Sequence, residues 1–332
     1  MKLIINAREN CPERGPVALD TVIEFKQAIL SSGFIHVTAT HPHSYISQKT
    51  YIAWTKLQKY IPESFKKFYF SLNTKILGRK RHYFNVLLGQ EWNLCFPYML
   101  FPGEKSVYLF DAWPCSHKEI VQFVSVHKIS HVFVSSSQVA AKLKSIMGEA
   151  VFSWVPEGIN PRLYMQREYS AKDIDILELG RKYDAYHDGI VQAMKNDGRI
   201  HLYEKTKGVV VFPSRENLID GLARTKISIC VPSSITHPER SGNIETMTVR
   251  YLESMASKCL VVGHAPQEMV ELYGYNPVVE IDMEKPAEQI RGILENFADY
   301  IPLIEKNYTE TLANHTWGKR WQQIAEIIQS SD

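Results

Sequence analysis

Two glutamates, Glu245 and Glu253, have residue types and a spacing suited to binding hydroxyl groups. On one helix they would be related as i and i+8, on roughly one face and about 12 Å apart along the axis. A carboxylate can accept two hydroxyl hydrogen bonds at once. The pair therefore fits two different polyol rings, such as a sugar and a ribose. The alternative is a pair of solvated charges on an amphipathic helix.

Two turns beside this pair are candidate phosphate-binding segments. Upstream, residues 241–243 (Ser-Gly-Asn) resemble the start of a helix, where backbone N–H groups and the helix dipole favour a phosphate. Downstream, a buried strand leads into Gly263 and His264, a second strand-to-helix turn. Together they predict a diphosphate site with Asn243, Thr246, Gly263 and His264 as contacts.

Asp111 and His117 are candidate contacts for an acceptor hydroxyl. They follow an apolar run that is typical of a buried strand, so we expect them at its carboxyl end. Trp113 lies between them and could stack on a sugar ring. The alternative is a helix cap beside a core tryptophan.

The composition is that of an ordinary globular protein and limits the function classes. The 332 residues are 45% apolar and 22% charged, which suggests about two domains. Lys and Arg number 38 against 36 Asp and Glu, so the net charge is +2 and nucleic acid is not an expected partner. The five cysteines are scattered, which favours a reducing compartment and argues against a cysteine zinc site.

The sequence has the features expected of a soluble, cytoplasmic protein. It shows neither a secretory signal nor an apolar run of the ~18 residues needed to span a bilayer. Lysines and arginines occur together with aromatic residues over residues 65–81. That stretch is a candidate for peripheral contact with an anionic membrane, or else an amphipathic helix with a solvated lysine face.

Short apolar runs alternate with helical patterns along the whole chain, which predicts parallel α/β sheets. Predicted elements used below include a strand at residues 209–212 and helices at residues 246–257 and 317–329. The Pro- and Gly-containing run 156–161 predicts a boundary between two Rossmann-like domains. We expect an acceptor domain over 1–155 and a donor domain over 156–332, facing a cleft, with the last helix a candidate to pack back on the first domain.

Residues 245–263 resemble the donor-site signature of the group-1 glycosyltransferases, which have the GT-B fold. That signature is a Glu-x7-Glu helix ending in Ala-Met-Ala-x-Gly, followed by a Pro-Val-Val strand. Here the run is Glu245-x7-Glu253-Ser-Met-Ala-Ser-Lys-Cys-Leu-Val-Val-Gly263. Weaker similarities to the family's motifs lie at residues 133–137, 154–160, 179–182 and 315–317.

The resemblance implies roles for individual residues. Glu245 would contact the transferred sugar and Glu253 the nucleotide ribose. Arg181 and Lys182, next to Gly180, would neutralise the diphosphate. The implied reaction transfers a hexose, with retention, from a UDP- or GDP-sugar to a hydroxyl of a glycan, a lipid-linked sugar or a small molecule.

Three alternatives stay open at this stage. An inverting transferase would use Asp111 or His117 as general base. A binding protein without transfer activity would explain why the family's Gly-Gly loop after the first strand is absent. A transferase acting on DNA bases would use the basic stretch near residue 70.

No metal or cofactor is predicted beyond the nucleotide-sugar substrate. Asp173 and Asp175 have the spacing of an Asp-x-Asp metal-binding motif, but they lead into a predicted strand. His36, His41 and His43 have neither carboxylate nor cysteine neighbours.

Overall fold

The structure is a computed structural model that describes most of the chain. The described residues are 2–7, 19–33, 37–40, 48–57, 60, 62, 81–89, 91–95, 98–101, 103–148, 151–180, 182–206 and 208–330.

The chain forms two compact units. The first contains the described residues up to Pro156 together with those from Trp321 onward. The second contains Glu157–Arg320. The last helix thus contributes its first residues to the second unit and the rest to the first.

The first unit is built on a six-stranded parallel sheet with the order β2-β1-β3-β4-β5-β6. Its strands are β1 (Lys2–Ala7), β2 (Val37–Thr40), β3 (Arg81–Leu87), β4 (Glu104–Leu109), β5 (His131–Val134) and β6 (Phe152–Trp154). Its helices are α1 (Asp20–Leu30), α2 (Gln48–Leu57), α3 (His117–His127) and α4 (Ser137–Met147). Ser136 begins α4 by accepting a hydrogen bond from the Val139 N–H.

The second unit is built on a five-stranded parallel sheet with the order β11-β10-β9-β7-β8. Its strands are β7 (Ile174–Glu178), β8 (His201–Leu202), β9 (Thr225–Cys230), β10 (Leu260–Gly263) and β11 (Val279–Glu280). Its helices are α5 (Asp184–Asn196), α6 (Arg215–Arg224), α7 (Ser233–Thr236), α8 (Pro238–Ser241), α9 (Val249–Ala256), α10 (Gln267–Tyr273), α11 (Pro286–Glu295), α12 (Ile301–Asn314) and the start of α13 (Trp317–Ser330). The predicted pair of parallel α/β sheets is confirmed.

Apolar side chains cover both faces of the second sheet. One layer includes Leu252 and Met255 of α9 against Val261 of β10. The other includes Ile190 of α5 and Ile290 of α11. This is why the strands are apolar along their whole length rather than alternating.

The predicted strand at residues 209–212 is wrong. Val209 and Val210 are 62% and 46% exposed, and no strand lies there. The Val209 N–H donates to the Thr206 carbonyl in a turn that contains Gly208. A β-branched apolar run resembles a buried strand by composition, but the turn withdraws these residues from the sheet.

The last helix packs on the first unit through Trp321. Its indole N–H donates to the Ser32 hydroxyl at 3.0 Å, and its ring meets the Phe84 ring edge-on at 5.3 Å. Among the described residues, no helix is both long and apolar enough to span a bilayer. The basic stretch proposed for membrane contact lies outside the described residues, apart from Arg81 at the start of β3.

His315 is a buried base in the second unit, next to the segment that follows the domain boundary. Its carbonyl accepts from the Ile159 N–H, and its Nδ1 accepts from Arg320 at 2.8 Å. Its ring stacks on Tyr273 with centroids 4.3 Å apart. Burial, and to a smaller extent the Arg320 charge, lowers the pKa of His315 to about 3.

We expect acid to destabilise the protein through His315. An unperturbed histidine has a pKa of about 6.5, so between about pH 6.5 and 3 the unfolded chain binds a proton that the folded chain does not. The free energy of unfolding should therefore fall as the pH falls through this window, by up to about 1.4 kcal/mol per pH unit. Urea unfolding at several pH values should show a flatter dependence for His315→Gln than for the unchanged protein. Equal slopes for the two proteins would contradict the assignment.

Candidate functional site

The strand order of the second unit marks one place in its sheet for a ligand. Strand β7 lies between β8 and β9. The chain therefore forms β8 on one side of β7 and then returns to form β9 on its other side. Open parallel sheets bind ligands at the carboxyl ends of the strands, at this topological switch point. Here the switch point lies where β7 and β9 end.

Arg250, in the first turn of α9, spans the switch point. Its Nη1 donates to the Leu179 carbonyl after β7 at 3.0 Å, and its Nη2 lies 3.5 Å from the Val231 carbonyl after β9. Gly180 has φ of +77°, and a side chain there would meet the Arg250 guanidinium at 3.9 Å. A fixed positive charge therefore stands at the expected ligand position, on a residue that the sequence analysis missed.

Tyr251, the next residue, connects the ends of β9 and β10. Its hydroxyl lies 2.7 Å from the His264 carbonyl and 3.3 Å from the Cys230 carbonyl. Strands β9 and β10 approach so closely that a Cβ on Gly263 would lie 1.7 Å from the Cys230 carbonyl oxygen. Gly263 is thus required for strand contact, which is a structural explanation for this predicted site residue.

The prediction that Glu245 and Glu253 share a helix is wrong. Helix α9 begins at Val249, and Thr248 before it is extended, with φ −95° and ψ 161°. A carboxylate from α10 holds the preceding segment: Glu268 Oε1 accepts from the Thr246 hydroxyl at 2.9 Å and from the Met247 N–H at 2.8 Å. A second carboxylate, from Glu157, accepts from the Val249 N–H at 2.6 Å.

Glu245 nevertheless lies near another predicted site residue. Its Oε1 lies 3.4 Å from Nε2 of His264, which follows β10. The other ring nitrogen of His264 lies 3.0 Å from the Glu280 carboxylate. The structure therefore brings Glu245 and His264 together, both partly exposed, at the carboxyl end of the sheet.

Glu253 is buried and already paired within the second unit. It is 4% exposed, and its Oε1 accepts from Arg215 at 3.0 Å and from the Tyr164 hydroxyl at 3.0 Å. Arg215 also donates to the Tyr164 oxygen at 2.8 Å, which closes a three-membered network. Neither partner was predicted, since both are distant in sequence and carry no motif.

The other predicted donor contacts are scattered around the loops. Residues 241–243 do not begin a helix as predicted: Ser241 ends α8, and Asn243 lies exposed in the following turn. Lys182 lies over the Tyr203 ring, 5.1 Å from its centroid. Thr246 is buried against Glu268, and Arg181 lies outside the described residues.

The predicted acceptor residues both lie in the first unit. Asp111 follows β4 and has φ of +38°, a strained value for a residue that is not glycine. His117 opens α3, and its Nε2 lies 3.2 Å from the Ala112 carbonyl, to which it donates. Burial lowers the pKa of His117. Trp113 is buried, as the core alternative predicted.

Residues 189–326 match the family described as glycosyl transferase-like. A search of curated proteins gives no match.

Among solved structures, HepE of Anabaena in complex with UDP and glucose is similar, with 11% identity, a TM-score of 0.59, and coverage of 99% of this chain and 100% of that one. Sucrose-phosphate synthase of Thermosynechococcus elongatus is similar with 13% identity, a TM-score of 0.59 and 99% coverage of both chains. The α,α-trehalose-phosphate synthase (UDP-forming) of Burkholderia vietnamiensis is similar with 11% identity, a TM-score of 0.56, and coverage of 99% and 100%.

These likenesses show the fold. The architecture is GT-B, as the sequence motifs predicted. Residues 189–326, about two fifths of the chain, are similar to the glycosyl transferase-like family.

We expect Glu268 to hold the segment that carries Glu245. Glu268→Ala leaves the Met247 N–H and the Thr246 hydroxyl buried without this acceptor, at about 1–3 kcal/mol each. The free energy of unfolding should fall by about 2–6 kcal/mol, as measured by urea denaturation. Glu271→Ala, on the same helix and hydrogen-bonded to Gln267 at the surface, is the matched control and should change stability little. A similar loss in both variants would show that Glu268 has no special role.

Proposed function

We propose that the chain transfers a hexose from a UDP- or GDP-linked sugar to a hydroxyl of a glycan, a lipid-linked sugar or a small molecule. The observation that carries the proposal is the Arg250 guanidinium at the β7–β9 switch point. Glu245 and His264 lie at the end of β10, which pairs with β9. A cation beside a hydroxyl-binding carboxylate suits a sugar joined to a diphosphate.

The leaving group explains the need for positive charge. When the bond between the anomeric carbon and the phosphate oxygen breaks, negative charge develops on the nucleoside diphosphate. Fixed cations placed where charge develops lower the barrier. Arg250 takes this role with Lys182, and Arg181 joins them by resemblance to the family.

The two glutamates take the sugar and the ribose. Glu245 accepts from hydroxyls of the transferred hexose, and His264 keeps its carboxylate in position. Glu253 fixes the ribose side of the nucleotide, with Arg215 and Tyr164 holding it in place. HepE of Anabaena, which shares the fold, has been solved with UDP-glucose, and this favours a nucleotide sugar as donor.

The proposed stereochemistry is retention. The acceptor hydroxyl attacks on the face from which the diphosphate leaves and passes its proton to the departing phosphate oxygen. The anomeric carbon–acceptor oxygen bond forms as the carbon–phosphate oxygen bond breaks, so atoms and charges balance without a protein base. Product NMR distinguishes this from inversion with Asp111 or His117 as base.

Arg250→Gln should weaken binding of nucleoside diphosphates while leaving nucleosides almost unaffected. The reason is that Arg250 is expected to interact with phosphate charge, whereas an uncharged nucleoside offers none. Calorimetry with UDP, GDP, ADP and CMP identifies the base, and the matching nucleoside completes the comparison. We expect a loss of tenfold or more in diphosphate affinity, about 1.4 kcal/mol.

Arg291→Gln is the matched control, because Arg291 lies on α11 and pairs with the surface residue Asp197. If the Arg250→Gln variant binds the diphosphate and the nucleoside as tightly as the unchanged protein does, Arg250 does not belong to the site. No binding of any nucleotide by the unchanged protein would favour the binding-protein alternative.

The two glutamate variants should fail in different ways. Glu253→Gln should lower nucleotide affinity, since the ribose contact is lost. Glu245→Gln should keep nucleotide affinity and lower kcat, since it acts on the transferred sugar. Thermal shifts with the identified nucleotide and steady-state turnover separate the two effects, with the exposed Glu288→Gln as control. Full activity in both variants would show that the carboxylates lie outside the reaction.

A further inference from the structure

A buried cluster of one carboxylate and two imidazoles lies just before the Gly180 loop. Glu178 is the last residue of β7, His187 lies in α5, and His201 is the first residue of β8. One potential ligand atom from each lies within 4.8 Å of the other two. Three separate elements thus converge on one point.

Hydrogen-bond contacts already join the three side chains. Glu178 Oε1 lies 2.6 Å from His187 Nδ1 and 2.8 Å from His201 Nε2. The side chains are 2%, 8% and 5% exposed, in the order Glu178, His187, His201. The Tyr203 ring covers both imidazoles, with centroid distances of 4.6 Å and 4.9 Å.

The cluster places one acidic group and two basic groups together in the interior of the second unit. Buried charged groups are normally paired with an opposite charge or coordinate a metal, so these three side chains form either a hydrogen-bonded triad or a metal site.

The ligand types select the class of ion. Two imidazole nitrogens and one carboxylate oxygen suit zinc and neighbouring transition metals, whereas Mg²⁺ and Ca²⁺ prefer oxygen ligands. Zinc–ligand bonds of about 2.0–2.2 Å in a tetrahedron separate neighbouring ligand atoms by about 3.4 Å. The two nitrogens must therefore move away from the carboxylate oxygen by only about 0.6–0.8 Å to admit the ion.

We propose that Glu178, His187 and His201 form a binding site for one zinc-class divalent ion. The ligand atoms are Glu178 Oε1, His187 Nδ1 and His201 Nε2. Both imidazoles bind in the neutral form, each with its proton on the other ring nitrogen, and water completes the coordination. The ion joins the ends of β7 and β8 to α5.

The site is structural and separate from the transfer reaction. Glu178 lies two residues before Gly180, so the ion fixes the start of the loop that contains Lys182. Sugar transfer needs no chemistry from it. The metal test and the nucleotide tests can therefore fail independently.

The test is zinc stoichiometry of the full chain. The protein is dialysed against a chelator, incubated with ZnCl2, separated by gel filtration and analysed by elemental mass spectrometry. We expect one zinc per chain and a rise of several degrees in Tm, with no rise in MgCl2. His187→Gln and His201→Gln should lose both effects.

His131→Gln, at the half-exposed start of β5, is the matched control and should keep the zinc. Circular dichroism shows whether each variant is folded. A second measurement uses only the unchanged protein, with Co²⁺ in place of zinc. Its visible absorption spectrum should show the intense bands of a low-symmetry site with imidazole ligands. Absence of stoichiometric zinc in the unchanged protein, or its retention in both folded histidine variants, would overturn the proposal and leave a hydrogen-bonded triad.

Discussion

Two carboxylates that bind backbone N–H groups determine the geometry of the candidate donor site. Glu268 accepts from Met247, and Glu157 accepts from Val249. Residues 246–248 consequently stay outside the helix, and α9 starts one turn later than its sequence pattern predicts. This start positions Arg250 and Tyr251 in the first turn, where they contact the ends of β7, β9 and β10. It also leaves Glu245 outside the helix and close to His264.

Three buried carboxylates of the second unit are stabilised in three different ways. Glu253 has a cation, Arg215, together with the Tyr164 hydroxyl. Glu268 has neutral donors from the backbone and a threonine. Glu178 contacts the imidazoles of His187 and His201. Leaving a buried charge without compensation costs several kcal/mol, so the compensation, rather than the carboxylate alone, determines what each residue can do.

Much of the fold could be predicted from the sequence because its signals are local. The apolar runs at residues 83–88, 106–110, 174–178, 227–231 and 260–262 predict β3, β4, β7, β9 and β10 to within two residues. The run at 209–212 has the same composition, but only the turn at Thr206–Val209 shows that it leaves the sheet. The helix over 246–257 failed for a related reason. Its first turn competes with acceptors from residues 157 and 268, which no local pattern contains.

The candidate site was predictable in its location but not in its contacts. The Glu-x7-Glu motif identified the region, because a motif of this kind is contiguous. Arg215, Tyr164 and Arg250 have no motif of their own, and their importance arises from tertiary contacts with Glu253 and the strand ends. His187 and His201 lie 9 and 23 residues after Glu178 in the sequence, so no spacing rule joins the three residues. A parallel sheet makes such groupings common, because successive strands end at the same edge and bring residues of distant segments to one place.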